Sequence, residues 1–172
     1  MKKKRFSWEI WLEDSKELDK SFNFYNNKGI IKQENETNYL SKSHLSKAEE
    51  NFRFVNFLEE NRSFYNWMIV GCYYTIYHCA LALITKKGYS SKNHLATLCA
   101  LIKFYYGSLN REEIKLVSVS SLEKEEVSYF VYAKEKRETA SYGISNEFNK
   151  NEAIDLQEKT IKFLNKTREI LE

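Results

Sequence analysis

Proline is absent from all 172 positions, and glycine occurs only five times. Ordinary usage would place roughly eight or nine prolines in a chain this long. These two residue types break helices and set tight turns. Their scarcity leaves long helical stretches uninterrupted. It argues against a turn-dense β-sandwich and against collagen-like or proline-rich linker segments. At ~100–200 residues per domain the length suits one domain. A chain that is 30% charged and 42% hydrophobic has a globular composition rather than a disordered one.

The helical period confirms the direction of that constraint. Leu45, Ala48, Phe52, Val55 and Leu58 recur every three or four residues and form one apolar stripe. Ser46 and Glu49 fit a capping box near its start, with a helix beginning a turn earlier as the alternative. From Ser63 to Thr85 there is no charge for 23 residues. As a helix this run would extend ~34 Å, long enough to cross a bilayer. It also carries Asn66, Thr75, His78 and tyrosines 65, 73, 74 and 77, all of which need hydrogen-bond partners. The favoured expectation is therefore the central helix of a bundle, not a membrane span. Lys86, Lys87 and Gly88 end it. Residues 90–93 supply N-caps for a helix with the stripe Leu95, Leu98, Leu101, Ile102 and Tyr105, closed by Gly107.

A short helix is predicted over about 110–117. A longer one carries Leu122, Val127, Phe130, Val131, Ala133 and Ala140 toward Gly143. The last is capped at Asn151–Glu152, with the stripe Ile154, Ile161, Leu164 and Leu171. Residues 1–40 differ. One short amphipathic helix is expected over about 6–22, followed by an irregular, Asn-rich connection over 23–39 that drapes over the core. The fold class is all-α, an up-and-down bundle of six or seven helices with no convincing strand, in which 1–40 form an N-terminal extension and 41–172 the helical domain.

Charge and cysteine content restrict the setting. The net charge is +3, and the Lys2–Arg5 run accounts for it, so a small basic tail precedes a nearly neutral body. Such a balance describes a solubilising terminus better than a basic nucleic-acid-binding face. No apolar segment follows the basic run in the manner of a secretory signal. Cys72, Cys79 and Cys99 form no CxxC pair and sit in apolar runs. They are expected to be buried, reduced thiols of a cytoplasmic protein.

The sequence lacks GxGxxG, a P-loop lysine, HExxH and GxSxG. His44, His78 and His94 are not spaced to present two imidazoles from one helix, so no metal or other cofactor is expected. The informative residues are polar ones on apolar faces. Arg137 lies seven residues after Phe130 and ten after Val127, on their inward face. A buried guanidinium must meet a carboxylate or carbonyls across helices, or line an anion-binding cleft. Tyr142 is either a rim aromatic or a neighbour of Arg137 if the helix unwinds at Gly143. His78, one turn after Tyr74, reads as a core histidine, and His94 as a helix-start residue.

Several strings resemble one family. YYTIYHCALALITKKGYSSKNH (73–94) resembles the central segment of HEPN domains (higher eukaryotes and prokaryotes nucleotide-binding), in which a glycine turn is followed by Lys-x-His, here Lys92 and His94. RETASYG (137–143) resembles their Arg-x-x-Ala-Asp-Tyr, and LSKAEENFRFVNFL (45–58) their first core helix. The likeness spans about residues 41–172.

It implies a helical bundle that pairs as a two-fold homodimer. It further implies a toxin–antitoxin or defence role and metal-independent cleavage of RNA at the dimer cleft. Arg137, Tyr142 and His78 would be the catalytic residues; Tyr74, Lys92 and His94 would contact RNA or nucleotide. The family's ribonuclease motif places a histidine four to six residues after the arginine, whereas here the window from Glu138 to Ile144 has none and Ser141 replaces the aspartate. Tyrosine, with a pKa near 10, is a poor base at neutral pH compared with histidine. The alternative is a non-catalytic module that binds nucleotide or docks a minimal nucleotidyltransferase as antitoxin partner. In either case residues 1–40 are expected to cover part of the bundle.

Overall fold

The computed structural model describes residues 8–61, 64–106, 122, 124–142 and 150–172. Among these it contains seven helices and one small sheet: α1 (Ile10–Glu13), α2 (Ser15–Asn27), β1 (Ile31–Gln33), α3 (Thr37–Glu60), α4 (Tyr65–Lys86), β2 (Tyr89–Ser91), α5 (His94–Tyr105), α6 (Lys124–Tyr142) and α7 (Lys150–Leu171). The all-α class read from the composition is the fold observed. The basic run 2–5, Gly107, the helix predicted over 110–117 and Gly143 lie outside the described residues.

The uncharged run folds as α4, and α3, α5, α6 and α7 all pack against it. Several of its polar groups find partners inside the protein. Thr75 donates to the Gly71 carbonyl at 2.9 Å. Ser41 of α3 donates to the Ala82 carbonyl at 2.8 Å, and Tyr105 of α5 to that of Leu83 at 2.8 Å. By length and composition this helix would span a membrane, but 78% of its most apolar window is buried within the fold. Cys72, Cys79 and Cys99 are free and buried, and burial pushes each thiol up to about 12, so they are inert core residues.

Three local readings change. α3 begins at Thr37, not beside Ser46, because the buried hydroxyl of Ser41 ties the preceding two turns to α4. Ser46 is therefore inside the helix and caps nothing. The single helix expected over 6–22 is two helices, broken at Asp14. That residue is extended, and its Oδ1 accepts from the amides of Lys16 at 2.9 Å and Glu17 at 3.2 Å as the N-cap of α2. The last helix starts at Lys150, which puts Asn151 and Glu152 in its first turn.

The segment expected to be irregular also contains a strand. α2 runs to Asn27, and Gly29 turns the chain with φ of +64°. β1 then pairs antiparallel with β2, Ile31 opposite Ser91 and Lys32 opposite Ser90. Strands of three residues carry too little periodicity to be read from sequence. This small sheet is anchored by Ile31, which is fully buried, and by Phe22, whose ring meets Tyr89 and Phe104 edge-on at 5.5 and 5.4 Å. Trp11 is buried and donates to Ser21 at 3.0 Å. Residues 8–40 thus pack on α5 and β2.

Candidate functional site

Each residue turns a helix by ~100°. On α4 this gives Cys72 and Cys79 one side, Tyr73 and Tyr77 a second, and Gly71 and His78 a third. The cysteine side lies beside Thr160 and Thr167 of α7. The Gly71 side meets α3 so closely that a Cβ there would stand 2.7 Å from Val55 Cγ2. The tyrosine side faces the start of α5 and the body of α6, and on that side the candidate site forms.

Arg137 reaches it from α6, on the face that buries Val127 and Phe130. Its side chain is 16% exposed, and the guanidinium carbon stands 5.0 Å from the Tyr73 ring centroid, a cation–π contact. The Tyr73 hydroxyl in turn lies 2.5 Å from His94 Nδ1 and 3.1 Å from Nε2. Asn93 positions that histidine: its Oδ1 accepts from the Ala96 amide at 3.0 Å and caps α5. The Tyr77 ring backs the imidazole at 4.6 Å. Glu138 Oε1 lies 3.8 Å from Arg137 Nη2 but takes Lys134 Nζ at 2.7 Å, so its main partner is the lysine.

The electrostatics divide the roles. Burial, then the Arg137 and Lys134 charges, lower the pKa of His94, partly countered by Glu138. The imidazole is therefore neutral and able to accept a proton at neutral pH. Burial raises the Tyr73 phenol far above its ordinary range, so this residue stays protonated, and its oxygen can accept from His94 Nδ1–H, the tautomer that leaves Nε2 as the basic nitrogen. A fixed cation, a neutral imidazole and a phenolic O–H within one cluster can hold a phosphate and move a proton.

His78 is elsewhere, on the α3 side of the helix. Its Nδ1 lies 3.1 Å from that of His44, and the rings stack at 5.3 Å. Sequence spacing within single helices could not reveal a pair formed between two helices. Burial, the His44 ring and Lys47 lower the pKa of His78 to about 4; burial and Lys47 lower that of His44. Both groups bind protons less readily folded than unfolded. Between pH 6.5 and about 4 the unfolded chain takes up the excess protons, so stability is full above 6.5 and falls on acidification. Urea melts at stepped pH should show that slope, and it should flatten in His78→Gln. An unchanged slope would mean that the pair does not titrate in this window.

Of the other residues singled out, Tyr74 is exposed, with its ring 5.1 Å from that of Tyr73. Lys92 is exposed at the mouth of a separate cleft beside the small sheet. Tyr142 ends α6, and its side chain lies outside the described residues. Tyr73 is the residue the sequence reading passed over. Its signal was present, since only Tyr73 and Tyr77 of the four tyrosines share the α4 side that faces α5 and α6. Among the described residues no three His, Cys, Asp or Glu side chains gather to hold a metal ion.

A family model described as "HEPN domain" matches residues 41–170. The Methanocaldococcus jannaschii protein named "Putative toxin MJ0142" is 29% identical over 127 residues, which cover 74% of this chain and 78% of that one.

Proposed function

Because this chain belongs to the HEPN domain family, we propose that it is the toxin of a toxin–antitoxin pair and acts as a metal-independent ribonuclease. The observation that carries this reading is the convergence of Arg137 and His94 on Tyr73. His94 takes the place of the histidine missing after Arg137, from a different helix. It accepts the proton of a ribose 2′-hydroxyl, whose oxygen attacks the adjacent phosphorus. Arg137 neutralises the charge that develops on the phosphate oxygens. The proton returns to the departing 5′ oxygen, leaving a 2′,3′-cyclic phosphate and a 5′-hydroxyl with no water consumed. Tyr73 holds the His94 ring in place. The toxin assignment is supported by the name of the archaeal relative.

The working form in this reading is a homodimer. Phe54, Phe57, Phe64, Trp67 and Tyr74 are each at least 41% exposed, on α3 and around the first half of α4. A monomer seldom leaves so many large aromatics open to water, and Tyr74 joins them to the Arg137 cluster. An antitoxin of the nucleotidyltransferase class is the partner expected to silence it. The missing histidine after Arg137 favours a second reading, a non-catalytic module that binds nucleotide or docks such a partner.

One assay separates the two. Purified protein with structured and unstructured RNA in EDTA should yield cyclic-phosphate ends, and Arg137→Ala should slow cleavage by ~10²–10³-fold, the usual cost of one charge-stabilising donor. Absence of cleavage, or an alanine variant as fast as the parent, would leave the binding module.

A further inference from the structure

Beside the cluster lies a cleft of about 800 Å³ with a construction of its own. One wall comes from the β1 segment, where Ile30, Lys32 and Glu34 alternate onto the same face while Ile31 points into the core. The other comes from α4, through Tyr77, Leu81 and Thr85. The β1 wall belongs to residues 29–40, which precede the family match at 41. The cleft therefore combines a helix inside the family match with a segment outside it.

Thr85 is the informative residue. Five other helical threonines, Thr75, Thr97, Thr139, Thr160 and Thr167, donate their hydroxyl to the carbonyl four residues back. Thr85 does not. It is 1% exposed and lines the cleft, and its Oγ1 has no hydrogen-bond partner among the described residues. A buried hydroxyl left unmet is costly unless a ligand or water completes it. The neighbouring polar groups are already engaged: Ser90 donates to Glu34 at 2.5 Å, and Ser91 bonds the backbone of Asn93.

The remaining chemistry defines what fits. Lys32 and Lys92 are exposed at the mouth and outnumber the one lining carboxylate, Glu34, so the entrance favours an anion. Ile30, Leu40, Leu81 and the Tyr77 ring form an apolar wall suited to a flat ring. The volume lies in the range of small-molecule sites. Tyr77 forms part of this wall and also backs His94, while Asn93 lines the cleft immediately before His94. The inner end thus abuts the cluster.

We propose that the cleft is a subsite for a single ribonucleotide, the one next to the bond cut at Arg137 and His94, with its base against Tyr77 and Leu81, a polar group on Thr85 and its phosphate between Lys32 and Lys92. The placement beside the scissile bond rests on the ribonuclease reading; the binding of a nucleotide does not. Residues 29–40 then set which base is accepted.

The test is calorimetry of the full chain with each of the four ribonucleoside 5′-monophosphates, with the free nucleosides and with inorganic phosphate. At least one monophosphate should bind saturably at about 1 mM or below, and more tightly than its nucleoside or phosphate alone. Thr85→Val keeps the shape and removes the hydroxyl. It should weaken that binding about five-fold while the ligand-free protein melts no lower than the parent. Lys32→Ala, on an exposed strand position, should weaken it about two- to five-fold. No saturable monophosphate binding, phosphate binding as tightly as the nucleotide, or parental affinity in Thr85→Val would each overturn the subsite. Nucleotide binding lost in Thr85→Val with cleavage indifferent to Arg137→Ala would instead retain the pocket and remove the ribonuclease reading.

Discussion

His94→Ala is expected to slow RNA cleavage by ~10²–10⁴-fold, the range for loss of a positioned general base. The expectation rests on geometry first. Of the three histidines, His94 alone shares a cluster with Arg137, whereas His78 is bound to His44 on the α3 side of α4. His78→Gln should therefore leave the rate within a few-fold of the parent, the reverse of what the central string of the sequence suggested. Tyr73→Phe should be milder than His94→Ala, because it removes the group that holds the base and not the base itself.

The titration of the His94 ring, followed by NMR, gives an independent check. Burial and then the Arg137 charge hold its pKa below 6.5, so the active neutral form persists into mild acid. Arg137→Gln removes a repelling cation and should move the midpoint up. Glu138→Gln removes a carboxylate that favours the protonated ring and should move it down. Shifts in the opposite sense would mean that the two side chains do not face His94, and the assignment of base and cation would fall with them.

How much of this was legible beforehand depended on the length scale of the signal. The helices were readable because each repeats an apolar pattern over many turns, and because nothing in the composition interrupts them. α4 was the hardest of these to place. It is apolar all round, since different sides meet α3, α7, and α5 with α6, so periodicity could not orient it. Arg137 stood out because a guanidinium on the face of Val127 and Phe130 needs a reason to be there. Its partners did not stand out. Tyr73 and His94 are 21 residues apart, on different helices, and their contact exists only once α5 has turned back along α4. The small sheet is a similar case: β1 and β2 are three residues each, and what stabilises them is the burial of Ile31 and Phe22, not strand propensity. Pairings between elements, in the site as in the sheet, were what the sequence withheld.

The largest stability effect expected is at Phe163. Along α7 the buried positions are Ala153, Leu156, Thr160, Phe163, Leu164 and Thr167. Half of them, Ala153, Thr160 and Thr167, are small or hydroxylated, and the two threonines satisfy their own hydroxyls on the helix at 2.6 and 2.9 Å. That arrangement lets α7 approach the Cys72 and Cys79 side of α4 closely, and Phe163, fully buried, is the one large ring that fills the space. Phe163→Ala should cost ~3–5 kcal/mol, because the lost transfer free energy is joined by a cavity that close-packed helices cannot collapse. Against a total of ~5–15 kcal/mol for a domain, this is a large fraction. Phe163→Leu, which restores most of the volume, should cost under about 1.5 kcal/mol. Urea unfolding at several protein concentrations measures both, the concentration series separating folding from any dimerisation. The variant also tests the division of α4 into separate sides: its folded fraction should keep His94 titrating as in the parent, since α7 meets the cysteine side and the site occupies the tyrosine side. A loss below about 1 kcal/mol would mean that α7 does not pack on α4 as described.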